Sequence, residues 1–156
     1  MSASHPALAP GNVAVVTGAA SGIGLAAARR FAALGMRVCL VDRDETRLAA
    51  AITDFPEADL HTFAVDVADR AAVVALAAAI AARVGAVSVL MNNAGVAGGG
   101  DALSNPDGWT RVLDVNLHGV LYGVQAFVPA MADGGAPGVV VNTGSKQGIT
   151  QPPGDT

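Results

Sequence analysis

The chemistry-bearing residues of this 156-residue chain fall into a short set with regular spacing. The first is Thr17-Gly18-Ala19-Ala20-Ser21-Gly22-Ile23-Gly24, between the apolar run Val13-Ala14-Val15-Val16 and an alanine-rich stretch from Leu25 to Phe31. Strand, glycine-rich turn and helix follow one another there. Gly18 and Gly22 are free to take positive φ and bring bare backbone near a ligand, and Gly24 lets the helix pack tightly. Unpaired N–H groups at the helix start then meet phosphate with the positive end of the helix dipole. Asp42 stands eighteen positions after Gly24 at the end of a second apolar run, where an acid accepts hydrogen bonds from a ribose diol. Arg43 beside it could pair with a 2′-phosphate, so NAD is favoured by the acid while NADP stays open. Further along come Asp66-Val67, Asn92-Asn93-Ala94-Gly95, Asn116 and Ser145.

These residues need strand ends to position them. Val13–Val16, Arg37–Val41, Leu60–Val65, Val87–Met91 and Val139–Val141 read as five short strands. Helices are expected over Ile23–Leu34, closed by Gly35; over Asp44–Ala51; over Arg70–Val84, capped by Asp69; and from Asn105-Pro106 through Trp109 to Met131. The last is interrupted by Gly119 and Gly123 and is ended by Pro129 and Gly134-Gly135. Alternating strands and helices predict an α/β fold, a doubly wound parallel sheet of Rossmann type with right-handed crossovers. All the polar clusters then lie at carboxyl ends of strands, the edge where such sheets bind ligands.

Composition narrows the classes. The chain is 52% hydrophobic and 14% charged, with net charge −4, and it reads as a flexible arm over residues 1–10 followed by one domain over 11–156. Nine scattered Lys and Arg give no basic stripe for nucleic acid. No apolar run reaches the roughly 18 residues of a membrane span, and the amino terminus lacks a signal-peptide pattern, so a cytoplasmic location is the expectation. Cys39 reads as a core residue, and His5, His61 and His118 are too dispersed for a metal site, so none is expected.

Taken together, Thr17-Gly18-x-x-x-Gly22-x-Gly24, Asp42, Asp66-Val67, Asn92-Asn93-Ala94-Gly95, Asn116 and Ser145 resemble the short-chain dehydrogenase/reductase family over about Val13 to Ser145. The resemblance implies hydride transfer between a nicotinamide cofactor and a small secondary alcohol or ketone. Gly18, Ser21, Gly22, Ile23, Gly24, Asp42, Arg43, Asp66, Val67, Asn93, Ala94 and Gly95 would then bind the cofactor. Asp66 would meet the adenine amino group with Val67 beside the ring, and Asn93, Ala94 and Gly95 would line the ribose. Asn116, an unfavourable choice inside a helix, would hold a water in a proton relay, and Ser145 would hydrogen-bond the substrate oxygen.

One part of the pattern has no match. The family carries a tyrosine about a dozen residues past the serine and a lysine four later that lowers the phenol's pKa from about 10. Eleven residues follow Ser145, none a tyrosine. Tyr122 is expected to pack on the fourth helix, and Lys146 to be a loop charge. The expectation is a sheet incomplete at its carboxyl-terminal side, with strand five an uncovered apolar edge, from a longer, homo-oligomeric parent. The alternative is a catalytically inactive nucleotide-binding or interaction module.

Overall fold

The computed structural model describes residues 5–55, 58–98 and 106–145. Strands β1 (Val13–Thr17), β2 (Arg37–Asp42), β3 (Leu60–Ala64), β4 (Val87–Asn92) and β5 (Val139–Asn142) form one sheet in the order β3-β2-β1-β4-β5. All four neighbouring pairs are parallel. The chain runs outward from β1 to β3 and then crosses back to β4, so the order reverses between β1 and β4. In open α/β sheets the crevice at that reversal is where ligands sit.

The helices are α1 (Gly22–Ala33), α2 (Glu45–Ala51), α3 (Arg70–Arg83), α4 (Pro106–Leu113) and α5 (Gly119–Asp133). The two-residue period of the strands sorts their side chains into two apolar layers. Ala14, Val16, Val38, Leu40 and Met91 pack with Ala28 of α1 and Leu48 of α2. Val13, Val15, Cys39, Val41 and Leu90 pack with Val73, Leu76 and Ile80 of α3 and Phe127 of α5. Both faces of the inner strands are therefore covered, which is why these strands are uniformly apolar. Each fully buried valine here contributes about 1.5–3 kcal/mol relative to an exposed one. The expected doubly wound α/β fold is the one observed.

Local chemistry sets the helix ends. Asp44 Oδ1 accepts from the Arg47 N–H at 3.0 Å, and Asp69 Oδ1 accepts from Ala71 and Ala72 at 2.9 and 3.1 Å. Gly35 takes φ +75° just past α1, the left-handed close that glycine permits.

The described part of the arm, residues 5–10, packs onto the domain. Pro6–Leu8 forms a 3-10 turn, Ala7 is fully buried, and its carbonyl accepts from Ser88 Oγ at 2.8 Å and from Asn12 Nδ2 at 3.2 Å. The fourth helix is not one α-helix, because a π-helical turn, Asp114–His118, separates α4 from α5. Pro129 lies near the end of α5 but inside it, and the helix runs on to Asp133 with Gly134 as its C-cap. The Asn105 start and Lys146 lie outside the described residues.

Tyr122 packs as expected, its ring 6.0 Å from that of His118 and against the α3–α5 layer. β5 is an edge strand whose Val140 and Val141 remain 39% and 38% exposed.

Candidate functional site

The turn between β1 and α1 has the backbone its glycines imply. Gly18 and Gly22 sit at φ +64° and +54°, where side chains are strained. A Cβ on Gly24 would lie 2.2 Å from the Gly18 carbonyl oxygen and 2.6 Å from Asn93 Nδ2, so only glycine lets α1 seat against the β4 end. Ser21 is the N-cap of α1, yet its side chain makes no capping bond. The first-turn N–H groups are therefore left for another acceptor, the condition for anion binding at a helix start.

Thr17 ties this turn to β4 across the reversal point. Its buried hydroxyl donates to the Met91 carbonyl at 3.4 Å and accepts from the N–H groups of Asn93 and Ala94 at 2.9 and 3.0 Å. Asn93 Nδ2 returns a bond to the Thr17 carbonyl at 3.0 Å. Small residues at Ala94 and Gly95 then leave the backbone open beside the turn.

Asp42 is held in place by backbone alone. Oδ2 accepts from the Ala20 N–H and Oδ1 from the Asp44 N–H, each at 3.2 Å. Its half-buried carboxylate is thereby oriented at the end of β2, and each oxygen keeps a further lone pair for a hydroxyl. Asp66 is exposed and closes its own turn, Oδ1 accepting from the Ala68 N–H at 3.0 Å. Val67 is buried beneath α5, where a Cβ on Gly119 would come within 2.8 Å of its Cγ2.

Gly18, Ser21, Gly22, Ile23, Asp42, Arg43, Asp66, Val67, Asn93, Ala94 and Gly95 line a single cavity of about 510 Å³. Gly24 lies behind its wall, allowing the approach rather than lining it. Asn116 is also outside the wall. Its amide grips the Val96 backbone, Oδ1 accepting from the N–H and Nδ2 donating to the carbonyl, each at 2.9 Å. Ser145 is exposed, three residues beyond β5, and does not line the cavity either.

Sequence reasoning missed Arg47, Val65, Val96, Val115 and Thr143, all of which line it. Arg47 had a legible signal, since it stands in the first turn of α2, four positions after Arg43. Arg47 pairs with Asp44 at 3.2 Å. Thr143 is placed by the ladder: its N–H donates to the Asn92 carbonyl at 3.0 Å.

Other reactive types are accounted for structurally. Burial pushes the Cys39 thiol up from 9.0 to about 12, with Arg37 opposing the rise and Asp59 adding to it, so the thiol is protonated at neutral pH. His61 and His118 each face a neighbouring carboxylate, Asp59 at 3.0 Å and Asp114 at 3.1 Å. Among the described residues, no three His, Cys, Asp or Glu converge as metal ligands, and no helix is long and apolar enough to cross a membrane.

The model of the short chain dehydrogenase family matches residues 12–156. The chain belongs to the short chain dehydrogenase family. A galactitol 2-dehydrogenase (L-tagatose-forming) of Cereibacter sphaeroides is 44% identical over 139 residues, covering 88% of this chain and 54% of that protein. The crystal structure of a Burkholderia phymatum short chain dehydrogenase/reductase in complex with NAD superposes with a TM-score of 0.90 at 40% identity, covering 94% of this chain and 53% of that one. An actinorhodin polyketide ketoreductase with NADPH gives a TM-score of 0.87 at 35% identity, covering 93% and 57%. The chain thus spans about half the length of the relatives it matches.

Proposed function

We propose that the cavity at the carboxyl ends of β1, β2 and β4 binds a nicotinamide dinucleotide, NAD in preference to NADP, and that the whole protein oxidises a small secondary alcohol or reduces the corresponding ketone. The observation that carries the reading is the convergence of the glycine turn, Asp42, Asp66 and Asn93–Gly95 on one cavity of about 510 Å³. The bare backbone at Gly18 and Gly22 and the uncapped start of α1 suit a pyrophosphate. The fixed carboxylate of Asp42 suits an unphosphorylated ribose diol and repels a 2′-phosphate. Arg43 and Arg47 at the same edge work in the opposite direction, so the preference is one of degree.

When bound, the nicotinamide supplies the hydride acceptor or donor. The chain's own residues orient and exclude. Asp66 accepts from an adenine amino group, Val67 packs beside the ring, and Asn93, Ala94 and Gly95 give the ribose a narrow wall. Ser145, just beyond β5, hydrogen-bonds the substrate oxygen, whose proton must leave as the alcohol is oxidised. Asn116 fixes the loop after β4 through Val96 and belongs to the same machinery as a positioning residue. Self-association of the whole protein is supported by exposed Leu113, Leu117 and Leu121, at four-residue spacing across α4, the π-helical turn and α5.

Fluorescence titration of the chain with NADH and NADPH tests the binding claim. Saturable binding, tighter for NADH, is expected, and a folded chain that binds neither overturns it. The reading as an inactive module shares the binding and differs in turnover. NADH production from NAD and a polyol such as galactitol separates the two.

A further inference from the structure

β5 is short, lies at the sheet edge, and offers three successive valines to its neighbour. A one-residue slip along β4 would still set valine against two of the three apolar rungs Val89, Leu90 and Met91, so the apolar pattern alone does not choose a register. Such a slip moves a strand by about 3.3 Å and exchanges its faces. It would carry Thr143 out of the cavity wall and take Ser145 with it.

One polar pair distinguishes the observed register. Asn92 and Asn142 are opposite each other in the ladder, and Asn92 Nδ2 donates to Asn142 Oδ1 at 2.9 Å. Asn92 is only 3% exposed. Its Oδ1 is buried without a hydrogen-bond partner and rests over α5, where a Cβ on Gly123 would lie 2.2 Å away. The amide is therefore clamped between the helix and Asn142, with no room to turn elsewhere. In either slipped register Asn142 points to the opposite face, and the buried Asn92 amide loses its only side-chain partner. A lone buried asparagine fixes register in coiled coils by the same penalty on the alternatives.

We propose that the Asn92–Asn142 pair, seated on Gly123, fixes the register of β5 against β4 and so places Thr143 and Ser145. Asn92 and Asn142 are positioning residues. The consequence for catalysis rests on the role of Ser145 proposed above, whereas the register itself does not.

Cysteine pairs read the register directly. Met91 faces Val141 in the ladder, so Met91→Cys with Val141→Cys reports the native register and Met91→Cys with Val140→Cys reports a slip. Both pairs are oxidised in the parent chain and in Asn142→Val and Asn142→Asp backgrounds. In the parent chain only the 91/141 pair closes readily. Asn142→Val raises closure of the 91/140 pair about tenfold or more, as expected for one unpaired buried amide. Asn142→Asp keeps the acceptor oxygen and restores the parent pattern, a rescue that general strand stability does not explain. If Asn142→Val does not fold, Asn142→Thr, too short to reach Asn92, gives the same readout. A 91/140 pair that closes no faster in the folded Val or Thr background than in the parent overturns the proposal. The cross-link needs no cofactor, so failure of the parent chain to bind NADH contradicts the proposed function and leaves the register claim standing.

Discussion

Asn116 holds Val96 by both ends of its amide, at 2.9 Å to the N–H and 2.9 Å to the carbonyl. The π-helical turn Asp114–His118 carries Asn116, and insertions of this kind in an α-helix recur at functional sites. A side chain that prefers to compete with helix backbone here satisfies loop backbone instead. Asn116→Ala should speed hydrogen exchange of the Val96 amide about 5–30-fold, the effect of about 1–2 kcal/mol in local opening. Asn116→Asp keeps the acceptor and should show a smaller increase. Unchanged exchange in Asn116→Ala would mean that the loop is held by other contacts.

The glycines of the first turn should separate by mechanism. Gly22→Ala meets nothing within 4 Å and suffers only from φ +54°, a strain of about 1–2 kcal/mol. Gly24→Ala drives a methyl to 2.2 Å from backbone, which should cost about 3 kcal/mol or more and lower Tm by roughly 6–12 °C. Thermal melts followed by circular dichroism give the order. Equal losses, or a larger one for Gly22→Ala, would contradict the close packing of α1 on Asn93.

Asp42→Asn keeps an acceptor for the backbone but removes the charge. NADH affinity should fall about tenfold while NADPH binding holds or improves, as expected when charge-assisted hydrogen bonds become neutral ones. Fluorescence titration with both cofactors measures the ratio. An unchanged ratio would place cofactor selection elsewhere, with Arg43 and Arg47 the next residues to test.

In the fold Cys39 loses its proton only at high pH. Its folded pKa of about 12 exceeds its ordinary 9.0, so the contribution of its burial to stability is intact below 9 and is lost as pH rises toward 12. The urea midpoint difference between the parent chain and Cys39→Ala should be constant below pH 9 and shrink above it. At pH 8 a disulfide reagent such as DTNB should label the thiol in urea and leave the native chain unlabelled. Rapid labelling of the folded protein would show that β2 opens readily.

Much of the fold was legible because its signals are local. Buried valine runs marked the strands, and Gly35, Asp44 and Asp69 marked helix ends through bonds spanning no more than a few residues. The turn glycines and Asp42 were legible from spacing, since the β1–α1–β2 unit fixes how far apart they stand. What stayed hidden depends on distant partners. Ala7 is buried in the apolar layer and its carbonyl is held by Ser88 from 81 positions away, which no reading of residues 1–10 reveals. The π turn reflects a helix accommodating Asn116 to a loop twenty residues earlier. Thr143 enters the cavity wall only through the pairing of β5 with β4.

The central claim is that a dinucleotide lies in the cavity against the glycine turn. Titrating ¹⁵N-labelled chain with NADH and following amide chemical shifts tests it most directly. The account expects saturable shifts at Gly18, Gly22, Ala94 and Gly95, which line the cavity, with Gly11 and Gly85 unmoved at the opposite end of the sheet. Shifts absent from the glycine turn, or centred on Gly11 and Gly85, would contradict it.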